Sequence, residues 1–280
     1  MREITTNTIT QAVKKLCMDA NYFLNADVYD ALEKAKETEV SPVGQEMLCQ
    51  ITKNADIAAQ NQLPICQDTG LTVVFVTIGQ EVHITGGSLE EAIQEGVRQG
   101  YVEGYLRKSV VSDPFLRVNT KDNTPAVIHY RLVPGDTFQL DVAPKGAGSE
   151  NMSKVFLLKP SDGIEGAKQA VLDTVEAAGP NPCPPIIVGV GCGGNMEKAA
   201  LLAKEALLRP VGKHNPLPHI RQMEEELLSR INATGIGPQG LGGRTTALAV
   251  NVEVYPTHIA CLPVAVSISC HVTRHTHCTL

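Results

Sequence analysis

Three of the eight cysteines, Cys66, Cys192 and Cys270, stand where a thiolate could bind a metal or attack carbon. Cys66 opens a polar stretch, Cys66-Gln67-Asp68-Thr69-Gly70, and Cys270 ends an apolar run just before His271. Cys192 lies inside Gly189-Val190-Gly191-Cys192-Gly193-Gly194-Asn195, with an apolar run before it and a helical pattern from Met196 after it. We read this as a strand, a glycine-dense turn and a helix. Glycines leave the backbone bare, so a bulky group can come close to the thiol. A helix start adds free N–H groups and a positive dipole end, both of which favour a thiolate. No two cysteines form the C-x-x-C pair of a zinc ribbon or a ferredoxin. Spacing is therefore a weak signal, and on residue type alone packing is the commoner fate of such thiols.

The same glycines fit G-x-G-x-x-G, but a dinucleotide site also needs a second strand ending in an acidic residue about 20 positions on. Here that region reads Arg209-Pro210-Val211-Gly212-Lys213-His214-Asn215-Pro216, a loop without an acid, and the nucleotide reading is rejected. Cys17 and Cys49 fall on helical patterns and are expected to pack. Cys183 and Cys261 flank prolines or sit inside apolar runs and read as structural. Cys278, with His275 and His277, falls in a terminal tail expected to be mobile.

The elements that must carry these residues are helical first and sheet-rich afterwards. Apolar residues at helical spacing mark 5–20, 27–37 and a third helix opened by Ser41-Pro42. A buried strand follows from Leu71 to Ile78, and Ser88-Leu89-Glu90-Glu91 is a capping box for a helix to about Leu106. Strands are expected near 125–134 and 137–143, a ligand-approachable loop over 145–151, a strand near 154–158 and a helix near 162–178. A charged helix near 218–232 precedes two apolar stretches, Thr245 to Tyr255 and His258 to Cys270. The fold class is mixed α/β (α+β): one domain over 1–280, whose helical quarter, about 1–60, packs on the sheet-rich remainder.

Composition narrows the partners. With 43% hydrophobic residues the 280-residue chain buries a substantial core without disulfide staples. A formal net charge of −6 argues against nucleic acid and anionic membranes, and no stretch has the length of a membrane-spanning helix. The N-terminus lacks the apolar core of a secretion signal, so a cytoplasmic location with reduced cysteines is expected.

The chain resembles the alpha subunit of the two-subunit iron–sulfur fumarate hydratases, a family that includes the L(+)-tartrate dehydratases. The resemblance runs over essentially the whole chain and is carried by a series of motifs in one order. They are Cys66-Gln67-Asp68-Thr69-Gly70, Gly104-Tyr105-Leu106-Arg107, Asp122-Asn123-Thr124-Pro125-Ala126 and Lys145-Gly146-Ala147-Gly148-Ser149-Glu150-Asn151. Gly191-Cys192-Gly193-Gly194, Gly235-Ile236-Gly237-Pro238, Gly242-Gly243-Arg244-Thr245-Thr246-Ala247-Leu248 and Cys270-His271 continue it.

That resemblance implies a [4Fe–4S] cluster on the thiolates of Cys66, Cys192 and Cys270, with one iron open to substrate as a Lewis acid. It implies an acid/base role for Asp68, whose plain alternative is an Asx-turn. Gln67, Arg107, His258 and the backbone from Gly146 to Gly148 would recognise a small dicarboxylate, Arg107 through its planar fork. A separate beta subunit would supply the remaining catalytic residues, giving a hetero-oligomer. The expected reaction is reversible hydration of fumarate to L-malate, with dehydration of L-tartrate as the alternative and a cluster-based sensor as the non-enzymatic one.

Overall fold

A computed structural model describes residues 2–280. The chain begins with β1 (Arg2–Thr5), α1 (Thr6–Tyr22), α2 (Ala26–Thr38) and α3 (Pro42–Asn61), then β2 (Leu71–Gly79), β3 (Val82–Thr85) and α4 (Leu89–Glu103). It continues with β4 (Val127–Val133), β5 (Phe138–Lys145), a one-turn helix α5 (Ala147–Glu150), β6 (Lys154–Leu158) and α6 (Gly163–Ala178). The remainder is β7 (Ile186–Gly194), α7 (Met196–Ala206), α8 (Pro218–Asn232), β8 (Ala247–Thr257), β9 (Leu262–Ser269) and β10 (Thr276–Thr279). The class is mixed α/β. No helix among the described residues is long and apolar enough to cross a membrane.

The chain divides into two compact units, each assembled from separated segments. The first comprises Met1–Leu24, Ala55–Ala147 and Arg274–Leu280; the second comprises Asn25–Asn54 and Gly148–Thr273.

The first unit holds a four-stranded sheet in the order β10-β5-β2-β4, with β1 and β3 paired separately. β2 is an inner strand, buried along most of its length, and this is why it reads as an unbroken apolar run. β5 is also inner but alternates, sending Phe138, Leu140 and Val142 into the core. α1 and α4 pack on each other, and their apolar stripes (Ile9, Val13 and Cys17; Ile93, Val97 and Tyr101) join that core. Each such fully buried side chain contributes on the order of 2 kcal/mol. The caps follow the sequence signals: Thr5 Oγ1 accepts Thr8 N–H at 3.1 Å, and Ser88 Oγ accepts Glu91 N–H at 3.4 Å. The chain end is not loose. β10 pairs antiparallel with β5, and Cys278 packs against the core, because an alternating Thr-His-Cys-Thr segment completes the sheet edge.

The second unit is a sheet in the order β6-β9-β7-β8, with α6 and α8 on one face and α7 on the other. Val171, Val175, Leu227 and Ile231 meet Val188, Val190, Val252, Val266 and Ile268 on the first face. On the opposite face α7 lies unusually close to β7. A Cβ on Gly189 would stand 2.2 Å from Ala203 O, and one on Gly191 would stand 2.1 Å from Ala199 O. These two glycines therefore belong to the strand and exist to admit the helix backbone. The turn expected over Gly189–Asn195 is instead the end of β7, where Gly193 and Gly194 take positive φ and the register with β8 shifts, and Cys192 lies on the strand. α2 packs against β8, and its C-terminal neighbour Glu39 is buried, accepting N–H bonds from Arg244 and Thr245.

Candidate active site

Register decides which loops of the first unit meet. Leu71 pairs with Lys145, Val73 with Val127 and Thr276 with Val142. The segments leading into β2, β4 and β10 and the one leaving β5 therefore gather at one end of a single sheet. They carry Cys66–Gly70, Asp122–Ala126, Arg274 and Gly146–Ala147 respectively.

At that end the Asp68 carboxylate is clamped by main chain. Oδ1 accepts Gly70 N–H at 3.0 Å, the Asx-turn, and Oδ2 accepts Ala147 N–H at 2.8 Å from the neighbouring loop. The Asx-turn expected as the plain alternative for Asp68 is present, and the bond from Ala147 adds a second clamp on the carboxylate. Gly146 faces it so closely that a Cβ there would stand 3.1 Å from Oδ2. The carbonyls of the loop are held as firmly. Arg274 Nη2 donates to Asp68 O, Tyr101 O–H donates to Thr69 O at 2.6 Å, and Asn123 Nδ2 donates to Gly70 O at 3.1 Å. Tyr101 is fully buried, and burial pushes its phenol well above its ordinary value.

Cys66 Sγ lies 3.4 Å from the Asp68 N–H and 3.4 Å from Gln67 Oε1, with the sulfur part-exposed. Arg107 is exposed, and its main-chain O accepts the Thr69 hydroxyl at 3.0 Å. The structure thus brings Cys66, Gln67, Asp68, Gly146 and the backbone of Arg107 together. Arg274, Tyr101 and Asn123 support them, though sequence reasoning assigned none of these three a role.

In the second unit the register separates two residues the sequence had grouped. β7 and β9 run antiparallel, with Cys192 opposite Val264 and Ile187 opposite Ser269. Cys270, beyond Ser269, is at least five residue steps from Cys192 along the ladder, about 17 Å. One cluster cannot span that. Cys192 instead packs with the α6/α8 core, and burial pushes its thiol up to about 12.

Cys183, read from its prolines as structural, stands at the same end as Cys270. Its carbonyl faces His271 Nδ1 at 2.9 Å and accepts the His271 N–H at 3.4 Å. It is exposed and holds φ +53, a conformation uncommon for a residue with a side chain. Gln239, also at positive φ, secures the turn through Pro184 O, its N–H at 2.8 Å and its Nε2 at 2.7 Å. Gly148 lies by the same turn, where an added Cβ would stand 3.8 Å from Asn181 O. His258 is elsewhere: it sits exposed in the β8–β9 connection, so the length of β9, about 27 Å, separates it from Cys270. Among the described residues no three His, Cys, Asp or Glu side chains are gathered as a ready metal site.

Comparison with known proteins agrees with the motif order. A family model described as fumarate hydratase (Fumerase) matches residues 10–279. A Methanocaldococcus jannaschii protein carrying the provisional name L(+)-tartrate dehydratase subunit alpha is 43% identical over 272 residues, 95% of each chain. The L(+)-tartrate dehydratase subunit alpha of Escherichia coli K12 is 32% identical over 272 residues, 96% of this chain and 89% of the relative.

Proposed function

Because the chain belongs to the fumarate hydratase (Fumerase) family, we propose that it is the alpha subunit of an iron–sulfur hydro-lyase that dehydrates L-tartrate to oxaloacetate. The motifs alone put fumarate first. The names of the relatives, at 43% and 32% identity over nearly the whole chain, support tartrate.

The observation that carries a hydro-lyase reading is the Asp68 carboxylate, fixed through both oxygens two residues from Cys66. Loss of water needs a group that exchanges a proton with the departing hydroxyl, and Asp68 has that role. Arg107, exposed beside the loop, pairs with a substrate carboxylate, and Gln67 adds an amide. The missing side chain at Gly146 leaves the approach to the Asp68 carboxylate clear.

The donor chemistry suits an iron–sulfur cluster. Cys66 and Cys270 are part-exposed and Cys183 is exposed, whereas Cys17 is buried and its thiol is pushed up to about 12. We assign Cys66, Cys183 and Cys270 as the ligands of a [4Fe–4S] cluster, with Cys183 in the place the motifs had given to Cys192. Such a cluster, with one iron lacking a protein ligand, supplies Lewis acidity toward the substrate hydroxyl. His258 is left out of the site. The relatives are named as alpha subunits, and a beta subunit is the partner that completes the reaction.

The test is turnover by the chain co-purified anaerobically with its beta subunit. L-Tartrate should be consumed with kcat/KM at least about tenfold above that for L-malate. A preference for malate or fumarate restores the fumarate hydratase reading, and turnover of none of them ends the hydro-lyase assignment.

A further inference from the structure

Arg274 is 4% exposed, which is unusual for a guanidinium that enters no ion pair among the described residues. Of its donors, Nη2 reaches Asp68 O, while Nε and Nη1 are buried with no hydrogen-bond partner. Burying a cation this way costs several kcal/mol unless nearby negative charge or dipoles compensate. The compensation at hand is the Asp68 loop itself. The point where a Gly146 Cβ would stand is 3.1 Å from Asp68 Oδ2 and 3.9 Å from Arg274 Nη2, so guanidinium and carboxylate flank one small gap. Tyr101, fully buried, holds the next carbonyl along, that of Thr69, at 2.6 Å.

We propose that Arg274 is a positioning residue for the dehydration step: by holding the Asp68 carbonyl it fixes the turn that keeps the Asp68 carboxylate against Ala147 N–H. This rests on the acid/base role of Asp68 given above. Sequence spacing does not suggest it, because Arg274 and Asp68 are 206 residues apart. They meet only because β10 and β2 both pair with β5. Arg274 does not contact substrate on this reading, since the atoms left over are buried. Its effect therefore falls on kcat and leaves KM near its starting value.

The experiment is a double-mutant cycle in the alpha–beta complex, using Arg274→Lys and Arg274→Gln with and without Asp68→Asn. Iron content and thermal midpoint are measured on every variant. With Asp68 present, Arg274→Lys should lower kcat about 10- to 100-fold at nearly constant KM. In the Asp68→Asn background the same change should cost less than about twofold, because the group it positions is gone. Lysine should recover more activity than glutamine, having a donor and charge to offer the carbonyl. Equal losses in both backgrounds would show a general structural role and overturn the proposal. So would loss of iron in Arg274→Lys, which would place its effect on the thiolates. An Asp68→Asn enzyme with undiminished activity would instead remove the reading beneath it. If both Arg274 variants fail to fold, the residue is structural and the proposal falls.

Discussion

The Asp68 carboxylate accepts the Ala147 N–H at 2.8 Å, joining two loops that lie 79 residues apart in sequence. The bond exists because Leu71 and Lys145, the residues where the two loops meet the sheet, are paired partners in β2 and β5. Gly146 keeps the approach clear. Gly146→Ala would put a methyl 3.1 Å from Asp68 Oδ2 and force the carboxylate aside by a few tenths of an ångström. Its φ is not in the positive range, so the backbone tolerates alanine. The expected outcome is a fall in kcat of about tenfold or more, with thermal stability changed by less than about 1 kcal/mol. Steady-state kinetics and a melting curve on the same preparation check both halves.

The ligand assignment makes a comparison among thiols. Protein purified without oxygen should contain about four irons and four acid-labile sulfides per chain. Cys66→Ser, Cys183→Ser and Cys270→Ser should each lose most of both, whereas Cys192→Ala should keep them and lose only stability. Retention of iron by Cys183→Ser with loss in Cys192→Ala would reverse the assignment drawn from the β7–β9 register.

Gly191 offers a purely structural control. A β-carbon there meets Ala199 O at 2.1 Å, a contact that neither a strand nor a helix backbone can relieve cheaply. Gly191→Ala should destabilise the second unit by about 3 kcal/mol or more, as overpacking between two backbones does. Chemical denaturation measures it, and a change below about 1 kcal/mol would contradict the close β7–α7 packing.

Glu39 gives a pH signature. Burial raises its carboxyl, but N–H bonds from Ser41, Arg244 and Thr245 outweigh this and hold it at about 2, against an ordinary 4.5. A depressed folded-state value contributes stability in full above the unfolded value and loses it as pH falls through the folded one. Wild type should therefore lose on the order of 3 kcal/mol between about pH 5 and pH 2 from this group. Glu39→Gln should start less stable at neutral pH and show a flatter decline. Parallel melting curves across that range would contradict the account.

Legibility in the sequence followed how local each signal was. β2 showed itself as an apolar run because both faces are buried, and α4 declared its start through Ser88. The thiol and carboxylate of Cys66 and Asp68 lie in one short loop and were found together. Gly189 and Gly191 misled because a dense glycine run normally marks a turn, whereas here the missing side chains serve a helix on the other side of the strand. Cys183 was passed over for its prolines, and its nearness to Cys270 is a property of strand pairing that no spacing reveals. β10 is too short and too polar to read until β5 is present beside it. Arg274 was invisible for the same reason.

The two units share the chain in alternation: α3 belongs to the second up to Asn54 and to the first from Ala55, and the last seven residues return to the first. No single cut can release either unit whole, and a cut inside residues 25–273 leaves parts of both units in each fragment. β10 must wait for the chain to return before Thr276 meets Val142. Closing loops of that length before any contact rewards them makes folding slow. On a ribosome, the sheet that presents Asp68 lacks its outer strand until Thr276–Thr279 has emerged, long after the partner strand β5.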